Sequence, residues 1–415
     1  MSEFTVEYDT IKKIELYNSN RLEFNIKGND DYGLDKTIIN SIRRSLMLNI
    51  DTIGFMKKDI NIIKNNTPLN NEYIIDRIAL LYLNINPFEY NRQYLFRLKI
   101  ENKTEPMLKV RLNDFDIFPM KKDILENIKK QRTQQYVPES LKIIDSINNY
   151  DLSSSIPDKE KKEILNPLII NGKEYYPLIT ELKFSTSDNN QELEINVIPS
   201  ISKGSIDSNF NNVSCSTYSY IVNNELATNI MNDNIKIKKV KKEHVDEYKK
   251  IFLTSDYDRY YYRDKNNEPN YYNFIIESQH YNKPEFLWNE SIEKLILELN
   301  NASQNLNLLI SNRDKSEYSI NKVGDFYSIN LNCEESIVSL IQSHIVNKFI
   351  NEKSVVSFCG YKKKHPLTPN ILLKIIINKI NNDEIKNITM IIQYINKAIE
   401  DIINIFNIIK NGFTQ

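Results

Sequence analysis

Arg43 and Arg44 stand side by side where Ile38, Ile39, Ile42 and Leu46 recur at helical spacing. Two adjacent basic residues on a helix are usually its solvated face; the functional alternative is contact with a protein partner. Asp76-Arg77 poses the same choice, between a local surface pair worth little and a contact to a partner. His365 precedes Pro366 in the run Gly360-Tyr361-Lys362-Lys363-Lys364-His365-Pro366-Leu367. Proline pushes the residue before it toward extended geometry, so His365 reads as turn-shaping rather than as a base or ligand. Lys362 to Lys364 and Lys238-Lys239-Val240-Lys241-Lys242 read as charged loops. The second run is also the nearest candidate for a nuclear import signal.

Catalytic constellations are not evident. The chain has no phosphate-binding glycine motif, no G-x-S-x-G elbow and no H-E-x-x-H, and only 8 glycines in total. Asp and Glu number 55, but no spacing singles out an acid–base pair. Three cysteines (Cys215, Cys333, Cys359) lie far apart, and none of the 4 histidines sits beside a cysteine pair. A structural zinc site usually needs four such ligands at short spacing, so no metal and no cofactor are expected. The scattered cysteines fit a reducing compartment. A formal net charge of -1 argues against general nucleic-acid binding and for protein partners, with no base-specific DNA contact expected. No secretory leader is visible at Met1, and no apolar run reaches the ~18 residues of a membrane span, so a soluble intracellular protein is expected.

The elements that must position these residues follow from periodicity. Ile11 to Ile26 alternates like a strand or hairpin, with Leu22, Phe24 and Ile26 facing inward. Leu34 to Leu48 turns helical, with Asp35 as its N-terminal cap. A second helix covers Glu72 to Leu81 after the turn residues Asn65 to Pro68. Between Asn86 and Pro269 strands such as Leu95–Ile100 and Glu192–Val197 alternate with polar stretches, which suggests a mainly β insert. Tyr272 to Ser278 returns to strand character, and a long helix carries Ile292, Leu295, Leu299, Ala302 and Leu306. After a polar linker the layout recurs. A strand leads to a helix with Ile337, Leu340, Ile341, Ile345 and Phe349 on one face; two more strands and a final helix follow.

Two of these stretches resemble a known family. Asn40-Ser41-Ile42-Arg43-Arg44, running into Asn49-Ile50-Asp51-Thr52-Ile53-Gly54-Phe55, resembles the N-x-L-R-R signature of alpha-like subunits of multisubunit RNA polymerases, with Ile42 for the usual leucine. These include the bacterial alpha N-terminal domain, the archaeal D subunit and the third subunit of eukaryotic RNA polymerase II. Asn66 to Leu80 resembles the family segment ending H-R-L-G-L, with Asp76 for histidine and Ala79 for glycine; Phe274 to Ser278 resembles its return strand F-x-V-E-S. The loop from Gly204 toward Val213 is similar to a glycine-rich family loop, with Asn212 where the family has proline. Val355 to Leu367 resembles the smaller partner, the archaeal L subunit and its eukaryotic equivalents, while the helix-entry motif D-H-T-L-G-N is eroded to Cys333 to Val338.

The resemblance implies an α+β protein in which a D-like and an L-like chain are fused. The expected parts are a discontinuous dimerisation domain (1–85 and 270–311), an insert (86–269), a linker (312–317) and an L-like domain (318–415). The two dimerisation modules would pack pseudo-symmetrically through helices, with Ile38, Ile39, Ile42 and Leu46 facing Ile337, Leu340, Ile341, Ile345 and Phe349. The implied role is a non-catalytic assembly platform for the two largest polymerase subunits and small accessory subunits. Arg43, Arg44, Asp76 and Arg77 would contact the large subunits, and Gly360, Tyr361, His365, Pro366 and Leu367 would form a signature turn. A stand-alone binding module, or a carboxylate enzyme in the insert, is the alternative. Fusion, eroded motifs and an Asn/Ile/Lys-rich composition point to a large cytoplasmic DNA virus, and so to host-cytoplasm factories and the virion, with the nucleus as the alternative.

Overall fold

The computed structural model describes residues 4–16, 19–29, 34–131, 147–184, 190–265, 267–278, 281–311, 316–350, 355–366, 368, 370–378 and 383–413. In the first sheet β1 (Val6–Leu16) and β2 (Ser19–Gly28) form a hairpin. β3 (Val213–Tyr220) and β4 (Tyr271–Ser278) complete it in the order β1-β2-β4-β3, all antiparallel. Leu22, Phe24 and Ile26 alternate inward on β2, as do Tyr272, Phe274 and Ile276 on β4. Helix α1 (Lys36–Leu48) follows β2, and helix α2 (Pro284–Ser311) follows β4. Asp35 caps α1 as expected, its carboxylate accepting from the Thr37 amide at 2.8 Å.

The C-terminal part repeats this plan. Strands β5 (Ser319–Val323), β6 (Phe326–Asn332), β7 (Val356–Lys363) and β8 (Asn370–Ile377) pair in the order β5-β6-β8-β7. Helix α3 (Glu335–His344) follows β6, and helix α4 (Glu384–Phe413) follows β8. A single π-helical turn, Ile345–Phe349, extends α3. The order β-β-α-β-β-α and the strand order of the sheet therefore occur twice.

One core joins the two parts. It holds Leu22, Phe24, Trp288 and Leu295 from the first together with Ile329, Leu340, Ile391 and Phe406 from the second. At ~1.5–3 kcal/mol for each fully buried large apolar side chain, a shared core of this kind holds its halves together without a covalent link. Residues 312–315 of the expected linker lie outside the described residues. A protease site placed there and cut should leave the halves as one species on a sizing column. Fragments eluting separately would contradict the shared core.

The expected insert boundaries, 86 and 269, do not match the division between cores. Asp51–Gly54 pairs with Ser200–Lys203, and Ile60–Asn65 pairs with Glu192–Val197. Ile53, Phe55, Ile74 and Ile78 thus belong to a second core, with Phe96, Leu98 and Ile195. Strand β3, expected in the insert, belongs instead to the first sheet. A helical pair, Asn224–Ile237 and Val245–Ser255, is inserted between β3 and β4. At Gly204 the chain passes so close to the Met47 carbonyl that an added Cβ would collide with backbone, which explains glycine there. Asn212, which departs from the family proline, is fully buried and donates to the carbonyls of Ile50 (3.1 Å) and Asp51 (3.2 Å). A proline there would lose both bonds.

Candidate subunit interface

The helices of the two parts run antiparallel in matched pairs. Along α1 and α3, Asp35 meets Ser343 at one end (2.5 Å), and Asn49 meets Glu334 at the other (3.3 Å). Along α2 and α4, Asn307 meets Asn396 (2.8 Å), and Lys410 reaches Glu293 nearer the start of α2. Ile38, Ile39, Ile42 and Leu46 are buried in the same core as Ile337, Leu340, Ile341 and Ile345. Phe349 is half-buried at its edge, in T-shaped contact with Tyr394 (6.0 Å) and capped by Lys397.

On the outer side of α1, Arg43 and Arg44 are both half-buried. Arg43 is held by its own helix: Nε donates to Asn40 Oδ1 at 3.0 Å, and the guanidinium lies 3.6 Å from Met47 Sδ. Arg44 makes no hydrogen bond or ion pair among the described residues. Asp76 and Arg77 are exposed on the Asn71–Ala79 helix and face different partners. Asp76 pairs with Lys57 at 2.7 Å, and Arg77 donates to the Leu178 carbonyl at 3.2 Å. Tyr73 and Leu80, at helical spacing from these charges, are 63 % and 70 % exposed beside them.

The signature turn is shorter than expected. Gly360 and Tyr361 lie inside β7, opposite Lys374 and Leu373 of β8, because sheet pairing outweighs the turn preference of glycine. The Phe358 ring folds over the bare Cα of Gly360, where an added Cβ would lie 2.9 Å from it. His365 and Pro366 form the exposed bend itself, with the Thr368 amide donating to the His365 carbonyl at 3.2 Å. Leu367 lies outside the described residues.

Sequence spacing missed a polar cluster at the junction. Asn49 caps the end of α1 and donates to Glu298 of α2 (3.2 Å) and to Glu334 at the start of α3 (3.3 Å). Glu298 Oε2 is buried without a partner. Burial, then the nearby Glu334 charge, pushes the Glu298 carboxyl up to about 7; Lys203 and Lys294 oppose this. A carboxyl raised in the folded state stabilises fully below its unfolded pKa and loses that contribution as pH rises through 7. Glu298→Gln should therefore gain most in melting temperature, relative to the parent, at pH 8 and least at pH 5. An equal gain at both would remove Glu298 from the junction's titration. His344 works in the opposite sense: burial holds its pKa below the usual histidine value against Asp401, so its contribution fades as pH falls below about 6.5.

A cleft of about 630 Å³ in the second core's region is lined by Glu89, Tyr94, Lys159, Glu160 and Glu163. Two of its polar side chains are tied into the fold: Tyr94 donates to Glu160 at 2.9 Å, and Asn84 donates to the Glu163 carbonyl at 3.1 Å. Burial pushes the thiols of Cys333 and Cys359 up to about 12, which suits neither nucleophile nor ligand. Among the described residues no group of three His, Cys, Asp or Glu could hold a metal ion, and no helix is long and apolar enough to cross a membrane.

Residues 343–412 match the RNA polymerase Rpb3/Rpb11 dimerisation domain. The match runs from the end of α3 through β7 and β8 and along nearly all of α4. The matched Rpb3/Rpb11-type segment lies in the C-terminal repeat of the plan. A search of curated proteins finds no match to the chain.

Proposed function

We propose that this chain is a non-catalytic assembly platform of a multisubunit DNA-dependent RNA polymerase, in which a D-like and an L-like subunit are fused. The observation that carries the reading is the doubled β-β-α-β-β-α plan, with the Rpb3/Rpb11-type match on its second copy. In an isologous pair each element meets its counterpart. The α1–α3 and α2–α4 pairings support such a pseudo-symmetric arrangement, a dimer interface made within one chain. On this reading the outer side of α1, with Arg43 and Arg44, and the Asn71–Ala79 helix, with Asp76 and Arg77, meet the two largest subunits. Small accessory subunits bind elsewhere.

The fusion and the Asn/Ile/Lys-rich composition favour a large DNA virus that transcribes in host-cytoplasm factories and packages its polymerase in the virion. Imaging the tagged chain in infected cells tests the location; accumulation in the nucleus would reject it and leave the assembly role standing. Purification of the tagged chain from its native source tests the role itself. Two large polymerase subunits should co-purify, and recovery as a lone monomer would reject it.

A further inference from the structure

The polymerase reading leaves one charged surface unexplained, at the tip of the helical pair between β3 and β4. Lys236, Lys238, Lys239, Lys241 and Lys242 are all exposed there, and Ile237 among them is 76 % exposed. Lys236 pairs with Asp233 at 3.3 Å, and Lys238 lies over the Tyr248 ring at 5.3 Å. The side chains of Lys239, Lys241 and Lys242 have no hydrogen bond or ion pair among the described residues. Glu247, five residues beyond Lys242, is engaged by His244 at 3.4 Å.

The backbone holds these ammoniums in a fixed turn. The Lys239 and Val240 amides donate to the carbonyls of Lys236 (3.1 Å) and Ile235 (3.1 Å), closing the first helix. This closure puts Lys239 at φ 50, a left-handed position where glycine is the favoured residue. A short 3-10 turn, Lys242–His244, follows at once.

We infer that this lysine-rich tip docks on the phosphate backbone of duplex DNA without reading its sequence. Lysine brings a compact charge on a flexible stem, suited to diffuse phosphate, whereas paired recognition of base edges calls on arginine, asparagine or glutamine. Residues 236–242 contain none of those three, and the ring at the tip, Tyr248, is half-buried between Lys238 and Phe252 rather than open to an unpaired base. A receptor that reads an extended lysine peptide would have to unwind the capped turn. The site is local, so a chain of net charge -1 can still carry it. The inference does not depend on the polymerase role.

The test is fluorescence anisotropy of a labelled mixed-sequence DNA duplex with the full chain, titrated with salt. Four phosphate contacts predict a fall in affinity of about 100-fold between about 50 and 200 mM salt. Joint replacement of Lys238, Lys239, Lys241 and Lys242 by glutamine should remove most of that salt dependence and weaken low-salt binding at least ~10-fold. Circular dichroism should show an unchanged fold. Glutamine replacement of Lys362, Lys363 and Lys364 should leave binding as it was. Unchanged affinity in the fourfold variant would overturn the inference. So would poly-glutamate competing as well as DNA, or nuclear accumulation that the variant abolishes while DNA binding persists.

Discussion

Replacing Trp288 by alanine should destabilise the chain by about 3–5 kcal/mol, the range for deleting a large buried aromatic. Trp288 is fully buried on α2 and meets Phe24 (4.9 Å) and Phe274 (5.0 Å) edge-on. Phe413, from the end of α4, reaches the same cluster, 6.1 Å from Trp288, 5.3 Å from Phe24 and 5.4 Å from Tyr8. Tyr8 also donates to the Ile409 carbonyl at 2.7 Å. The cavity would thus open where the end of the chain clasps its first strands, and rigid sheet walls limit collapse into it. Urea unfolding reads the change, with Trp288→Phe expected to lose less. A loss under ~1 kcal/mol would mean that the cluster does not hold the two parts.

The joint change Arg43→Ala and Arg44→Ala should leave the melting temperature nearly unaltered yet weaken capture of a large polymerase subunit. Truncating one side of a buried charge contact costs ~2–5 kcal/mol, roughly 30-fold to several thousand-fold in affinity. The asymmetry follows from placement. Arg43 bonds only within its own helix, through Asn40 and Met47, and its carbonyl accepts from Ser216, a bond that alanine keeps. Among the described residues Arg44 has no polar partner to lose. The pair is therefore ordered and half-buried on the outer side of α1, at little cost to remove from the isolated chain. Pull-down at stringent salt is the readout. Equal recovery of the partner would return both residues to solvent.

What could be read from the sequence was whatever repeats with a period. The stripes Ile38-Ile39-Ile42-Leu46 and Ile337-Leu340-Ile341-Ile345 identify helices because one helix face must be apolar to be buried. β4 was legible from strict alternation. β3 was not: in Val213–Tyr220 only Val213 is buried, so no apolar period marks a strand that exists through its pairing with β4. The Asn49–Glu298–Glu334 cluster has no signature either, since folding brings Asn49 to two carboxylates 249 and 285 positions away. Gly360 misled for the opposite reason. The resemblance placed it in a signature turn, but hydrogen bonding to β8 extends the strand through Lys363.

On the proposed function this chain brings two catalytic subunits together. Co-expression of the two largest subunits of the same polymerase, with and without the chain, decides the matter, with native mass spectrometry reading the species formed. A ternary complex is expected when the chain is present, and separate large subunits when it is absent. A stable complex of the two large subunits that forms equally well without the chain would rule out the assembly role.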